Sequence, residues 1–157
     1  MSKARRVRLG IAVGAVAGSL AVSSGATAGL GGKAPSIQLD RAQLGASLHA
    51  TPQAGRTTYA MALPNGAAVK EFTNATGAVF AVTWSGPGKP DLRALLGSHF
   101  QALQAASRVR DPRFRRVPPQ VRQSDLVIQT GGHMGYFWGV AYIPSLAPAG
   151  FAVADLK

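Results

Sequence analysis

Along the chain the spacing of apolar positions changes several times, and each change marks an expected element. From residue 57 onward, short apolar or β-branched runs alternate with turn residues: TTYAMAL, PNG, AAVKEFT, NATG, AVFAVTW. That pattern predicts a three-stranded meander over residues 57–84. Asn65-Gly66 predicts a type I′ hairpin, since both central positions of that turn need a positive φ that Asn and Gly tolerate best. Residues 74–77 give a second, looser turn. The loop SGPGKP follows, and its Pro87 and Pro90 interrupt any continuing ladder.

The period then becomes helical. In DLRALLGSHFQALQAA, Leu92, Leu95, Leu96, His99, Phe100 and Leu103 fall at i, i+3, i+4, i+7, i+8 and i+11. One long helix is expected, capped by Asp91 and packed by this stripe on a sheet. A shorter amphipathic helix is expected over residues 36–48, with Ser36 as its cap and Ile37, Leu44 and Leu48 near helical spacing.

A second hairpin, SDLVIQT and HMGYFWGVAYIP, is expected to turn at Gly131-Gly132. That turn sets Thr130 opposite His133, Ile128 opposite Gly135 and Leu126 opposite Phe137. Strand period then gives a helix-facing side with Leu126, Ile128, Phe137, Ala141 and Ile143, where Gly135 and Gly139 leave room. Val127, Gln129, Met134, Tyr136, Trp138, Val140 and Tyr142 share the other side. The fold class is therefore α+β: a small single domain with an antiparallel sheet of about five strands and one or two packed helices.

The amino-terminal pattern has a different meaning. Lys3, Arg5, Arg6 and Arg8 precede the uncharged run LGIAVGAVAGSLAV at residues 9–22, and SSGATAGL follows, with Ala26 and Ala28 in an A-x-A arrangement. These are the three parts of a cleavable signal peptide. Fourteen residues are too few for a bilayer, which needs about 20; an uncleaved anchor is the competing reading. Cleavage after Ala28 leaves residues 29–157: a flexible lead (29–35), one domain (36–148) and an irregular tail (149–157).

Composition sharpens this picture. The chain contains no cysteine, which removes disulfides, thiolate zinc sites and cysteine nucleophiles. An export signal on a cysteine-free chain fits a bacterial periplasm or exterior, and the sequon Asn74-Ala75-Thr76 is then read as a turn. The leader holds four of the 17 basic residues and none of the six acidic ones, so the remainder has 13 against six. Much of that excess sits in Arg108, Arg110, Arg113, Arg115, Arg116 and Arg122, opposed only by Asp111. Pro112, Pro118 and Pro119 make this segment a loop rather than a basic helix.

The blocks VFAVTWSGPGKPDLRALLGSHF, SDLVIQTGGHMGYFWGVAYIP and LPNGAAVKEF together resemble a family of uncharacterised exported proteobacterial proteins, a domain of unknown function. The resemblance spans roughly residues 29–148 and is specific at GP-x-x-PDL-x-x-LLG and GGHM. The family pattern has arginines where this chain has Gly135 and Val140. The resemblance implies export and a shared fold, and it carries over no catalytic residue.

Catalytic and metal signatures are sparse. His49, His99 and His133 lack the spacing that sets two ligands on one helical face, and no metal or cofactor is expected. Five aspartates, Asp40, Asp91, Asp111, Asp125 and Asp155, have capping or turn explanations, and Glu71 stands in a strand opposite Phe80 or Val82. No G-x-S-x-G elbow, P-loop or paired-carboxylate signature is present. Two surfaces remain. The six arginines, with Phe114 among them, are the candidate anion-binding loop, because guanidinium pairs bidentately with phosphate and carboxylate. Since export removes cytoplasmic nucleic acid, the expected partners are anionic lipid, lipopolysaccharide, acidic polysaccharide or extracellular DNA; a solvated basic loop is the plain alternative. Tyr136, Trp138 and Tyr142 form the other candidate, a face for an envelope protein, or else a second small core covered by the residue 36–48 helix and the tail.

Overall fold

The computed structural model describes residues 29–108 and 118–156. The expected leader, together with Arg110, Arg113, Phe114, Arg115 and Arg116 of the basic segment, lies outside them. Seven strands, rather than about five, build one antiparallel sheet: β1 (Ser47–Gln53), β2 (Arg56–Ala62), β3 (Ala68–Asn74), β4 (Val79–Gly86), β5 (Gln120–Gln123), β6 (Leu126–His133) and β7 (Tyr136–Tyr142). Their order is β1-β2-β3-β4-β7-β6-β5. The expected meander is β2 to β4. The two added strands are the sheet's edges, and each lacks the signal that identifies a strand. SLHATPQ in β1 is exposed at nearly every position, and QVRQ in β5 buries Val121 alone. An edge strand with one thin apolar contact is held by its neighbour's backbone, which leaves no period in the sequence.

The β2–β3 turn departs from the expected type I′. Among the described residues every positive φ belongs to a glycine, so Asn65 keeps a negative φ and, of the two, Gly66 alone is positive, at φ +82°. Pro64 precedes them, the Gly66 N–H donates to the Leu63 carbonyl (3.0 Å), and the Leu63 N–H donates to that of Ala67 (2.8 Å). Proline's fixed φ suits the opening of a three-residue loop that closes on a left-handed glycine. At the looser turn, Asn74 Oδ1 accepts from the N–H groups of Thr76 and Ala78, and its Nδ2 donates to Leu146 O at 2.9 Å.

The expected long helix is two. Asp91 caps α2 (Leu92–Leu96), accepting from the N–H groups of Arg93 and Ala94 at 2.9 and 3.3 Å. Gly97, at φ +52° and ψ −128°, then breaks it, and after one 3-10 turn α3 (Phe100–Arg108) continues. The apolar stripe survives the break: Leu95 and Leu96 are fully buried and Leu103 nearly so. The helix expected over residues 36–48 is α1 (Ile37–Leu44), stopped by left-handed Gly45. Ser36 does not cap it with its side chain; its hydroxyl donates back to Lys33 O at 2.7 Å.

All three helices lie on one side of the sheet. Ile37, Leu95, Leu96 and Leu103 meet Met61, Val69, Val82, Trp84, Ile128 and Ala141 in the main core. Each such side chain removed from water contributes about 1.5–3 kcal/mol. A bulge where Phe72 and Thr73 pair with Ala81 and Val79 turns Phe80 to the opposite side. There the tail folds back, and Phe72, Phe80 and Leu156 form a second cluster with Tyr142 and Phe151. The glycine-rich stretch expected to be a flexible lead is also stitched in: Leu30 N–H donates to Leu95 O, Gly31 N–H to Val79 O and Ala34 N–H to Gly77 O, at 2.8 to 2.9 Å.

Candidate functional site

The second hairpin turns at Met134-Gly135 and not at Gly131-Gly132. His133 pairs with Tyr136, Gly131 with Trp138, Ile128 with Ala141 and Val127 with Tyr142. Gly135 takes the left-handed turn position at φ +85°, so it is not a clearance for the core. The glycines that do give clearance are Gly131 and Gly139, and what they admit is indole. A Cβ on Gly139 would stand 2.0 Å from Trp84 Cζ2, and one on Gly131 would stand 2.3 Å from Trp138 Cζ2. Each tryptophan lies flat over a glycine of the neighbouring strand, Trp84 on the helix side, where it is buried, and Trp138 on the other, where it stays 44% exposed.

The three candidate aromatics therefore part company. Tyr142 is covered, its ring 5.9 Å from that of Phe151 in the tail. Tyr136 and Trp138 remain open, beside Met134 at the turn. The tail supplies this cover, and α1 does not, since Ile37 packs in the main core.

A cleft of about 390 Å³ opens between α3 and the β6–β7 hairpin, walled by Trp84, Phe100, Phe137 and Trp138. Lys89 stands at its mouth, with Nζ 4.8 Å from the Phe137 ring centroid, within range of a cation–π contact. Ser107 and Pro118 also line it; these residues lie on either side of the 109–117 segment. Thr130 Oγ1 donates to Pro119 O at 2.9 Å, fixing the point where the chain re-enters the sheet. Trp138 also borders a second depression of about 370 Å³ toward the tail, near Lys70, Gln129 and Leu156. Trp138 and Trp84 each border both clefts.

Of the candidate anion-binding arginines, Arg108 ends α3 and Arg122 lies in edge strand β5, both exposed. Arg110, Arg113, Arg115 and Arg116 lie outside the described residues. The histidines are apart: His49 in β1, His99 between α2 and α3, and His133 at the end of β6, where Nδ1 is 2.9 Å from Met134 O and the ring stacks on Tyr136. Among the described residues no three His, Asp or Glu side chains converge as a metal site would require.

The acids contain what the spacing did not reveal. Asp40 of α1 and Glu71 of β3, 31 positions apart, meet in the core, and both are fully buried. Asp40 Oδ2 accepts the Gly29 N–H at 2.8 Å. Asp40 Oδ1 and both Glu71 carboxyl oxygens have no donor among the described residues. Burial, then the charge and hydrogen bond of Asp40, push the Glu71 carboxyl up to about 9, and burial also raises Asp40. Two buried carboxyls this close share one proton, because both cannot ionise in a low-dielectric core. By contrast Asp125, at the surface, is held below the ordinary range by the Ser145 hydroxyl and N–H, at 2.6 and 2.9 Å. The capping or turn role expected for Asp40 is not the one observed: it lies within α1 and its carboxylate accepts from Gly29, 11 positions upstream. Only the tertiary fold brings Asp40 and Glu71 together.

A family model described as a protein of unknown function (DUF2844) matches residues 26–156. No curated protein and no solved structure matches the chain.

Proposed function

The chain belongs to the DUF2844 family of proteins of unknown function, and on that premise we propose an exported, non-enzymatic binding module that holds an acidic envelope polysaccharide in its aromatic cleft. The observation that carries this is the make-up of the cleft: two indoles and two phenyl rings, a lysine at the mouth, and an opening between the two ends of the arginine-rich segment. A sugar ring offers an apolar C–H face to stack on indole. Its carboxylate or phosphate suits guanidinium, which pairs with such groups bidentately. Export is supported by the basic, apolar and A-x-A elements of residues 1–28.

The test follows intrinsic tryptophan fluorescence while the protein is titrated with an acidic polysaccharide or with anionic vesicles, at two salt concentrations. Trp138→Ala should weaken polysaccharide binding by roughly 30-fold, the size of an aromatic hot spot. Replacing Arg113, Arg115 and Arg116 by Ala should weaken it too and flatten its salt dependence. Binding to vesicles alone transfers the assignment to lipid headgroups, and binding to neither probe at low salt overturns it.

A second reading rests on the exposure of Tyr136 and Trp138, 45% and 44%, next to Met134 at 95%: an envelope protein docks on this side of the sheet. It requires that Trp138→Ala abolish binding to an identified envelope protein while the unfolding midpoint is unchanged.

A further inference from the structure

Gly29 is the first described residue, and its surroundings are built for one amino acid. It is buried, with φ at +88°, and a Cβ there would stand 2.4 Å from the Ala94 carbonyl oxygen and 2.5 Å from that of Leu95. Its nitrogen points at Asp40, which meets Glu71 in the core. A peptide N–H at that place provides one donor and no charge. It leaves Asp40 Oδ1 and both Glu71 oxygens without a donor among the described residues, although buried polar atoms are otherwise nearly always partnered. Carboxyls sharing one proton carry one negative charge, which is costly in a core unless a cation meets it.

The sequence places a cleavage junction at the same atom. Ala26-Thr27-Ala28 is the small-residue motif, so the bond to be cut is Ala28–Gly29. Hydrolysis adds water across it: the carboxylate leaves with Ala28, and the Gly29 nitrogen takes a proton and becomes an ammonium. The nitrogen that donated one hydrogen bond now donates three and carries the missing positive charge.

We infer that the buried Asp40–Glu71 pair is the receptor for the α-ammonium group that leader removal creates at Gly29. This rests on the leader being removed after Ala28, as the export reading holds. In the precursor the pair is an uncompensated acid cluster. In the processed chain it is a buried ion pair that fastens residues 29–34 between α2 and β4, where Leu30 and Gly31 already donate to Leu95 O and Val79 O. Processing thereby completes the fold, and a chain still awaiting export is kept less stable than the product.

Two measurements separate this inference from its premise. The intact mass of the protein recovered from the envelope should correspond to a chain starting at Gly29; another start removes the premise and the inference with it. Every described element lies downstream of Gly29, so chains beginning at residue 29, released from a removable fusion, contain the whole sheet. Adding one alanine before Gly29 should lower the unfolding midpoint by about 10 °C, the order expected when a buried ion pair loses one partner in a domain of this size. Asp40→Asn should be harmful in the chain with the free Gly29 amine and much less so in the extended chain, because the two changes remove the same interaction. The Gly29 amine should also react with an amine reagent at least tenfold more slowly in the folded protein than in the unfolded one. Equal effects of Asp40→Asn in both chains would make the pair a purely internal acid cluster and overturn the inference. If that variant does not fold, rapid labelling of the native amine overturns it equally.

Discussion

Glu71 occupies the middle of β3, opposite Tyr59 on one neighbour and Val82 on the other, and at neutral pH it holds a proton that an unfolded glutamate releases. Its folded value of about 9 lies above the ordinary 4.5. Below 4.5 both states are protonated and the contribution is fully present; as pH rises from 4.5 toward 9 only the unfolded chain ionises, so stability falls across that window. The full-length chain, with Gly29 still in peptide linkage, should therefore show a declining midpoint from pH 5 to 9, and Glu71→Gln should level it. A flat profile for the unaltered chain would contradict a shared proton. Little of this was legible in the sequence, where Asp91 is recognisable as a cap because its partners lie two and three residues away. Asp40 and Glu71 carry no such local mark, because their relation exists only once α1 packs against β3.

At the scale of elements, the β6–β7 hairpin shows what periodicity retains when a turn is misplaced. Moving the turn from residues 131–132 to 134–135 changes every cross-strand pair. The sum of paired numbers shifts from 263 to 269, an even amount, so every side chain keeps the expected side of the sheet. The faces were legible, whereas the register was hidden because Gly131-Gly132 is itself a strong turn signal. Those glycines are reserved for another purpose, and substitution separates the roles. Gly139→Ala drives a methyl into buried Trp84 and should cost about 1–3 kcal/mol by denaturant unfolding, as overpacking does. Gly131→Ala meets the half-exposed Trp138, which can swing into solvent; it should leave stability nearly unchanged and still impair the proposed polysaccharide binding. Equal losses of stability in the two variants would mean that Trp138 is anchored as firmly as Trp84. The split helix is the same kind of case: the stripe predicted its buried face, but the local break at Gly97 was not legible because the apolar period continues across it.

The whole molecule is a single α+β sheet domain with helices on one side and the carboxyl-terminal tail on the other, and that division follows from two apolar sides of unequal size. Its class was legible; its strand count was not, since both missing strands are edges with little to bury. The centre of the sheet is the pairing of β4 with β7, two strands separated by some 50 residues that contain two helices and the basic segment. Until β7 arrives, the β1–β4 half ends in an open rim at its most apolar strand, an invitation to pair with another chain. A polypeptide that emerges amino terminus first therefore has no partner for β4 until β7 is made, and this long-range pairing is expected to limit the folding rate. Ala141→Gly, at the seam, should slow refolding in stopped-flow experiments, while His49→Ala, on the outer rim, should change unfolding alone. Late closure amounts to a delay fuse, holding the chain pliable until its final strand is available.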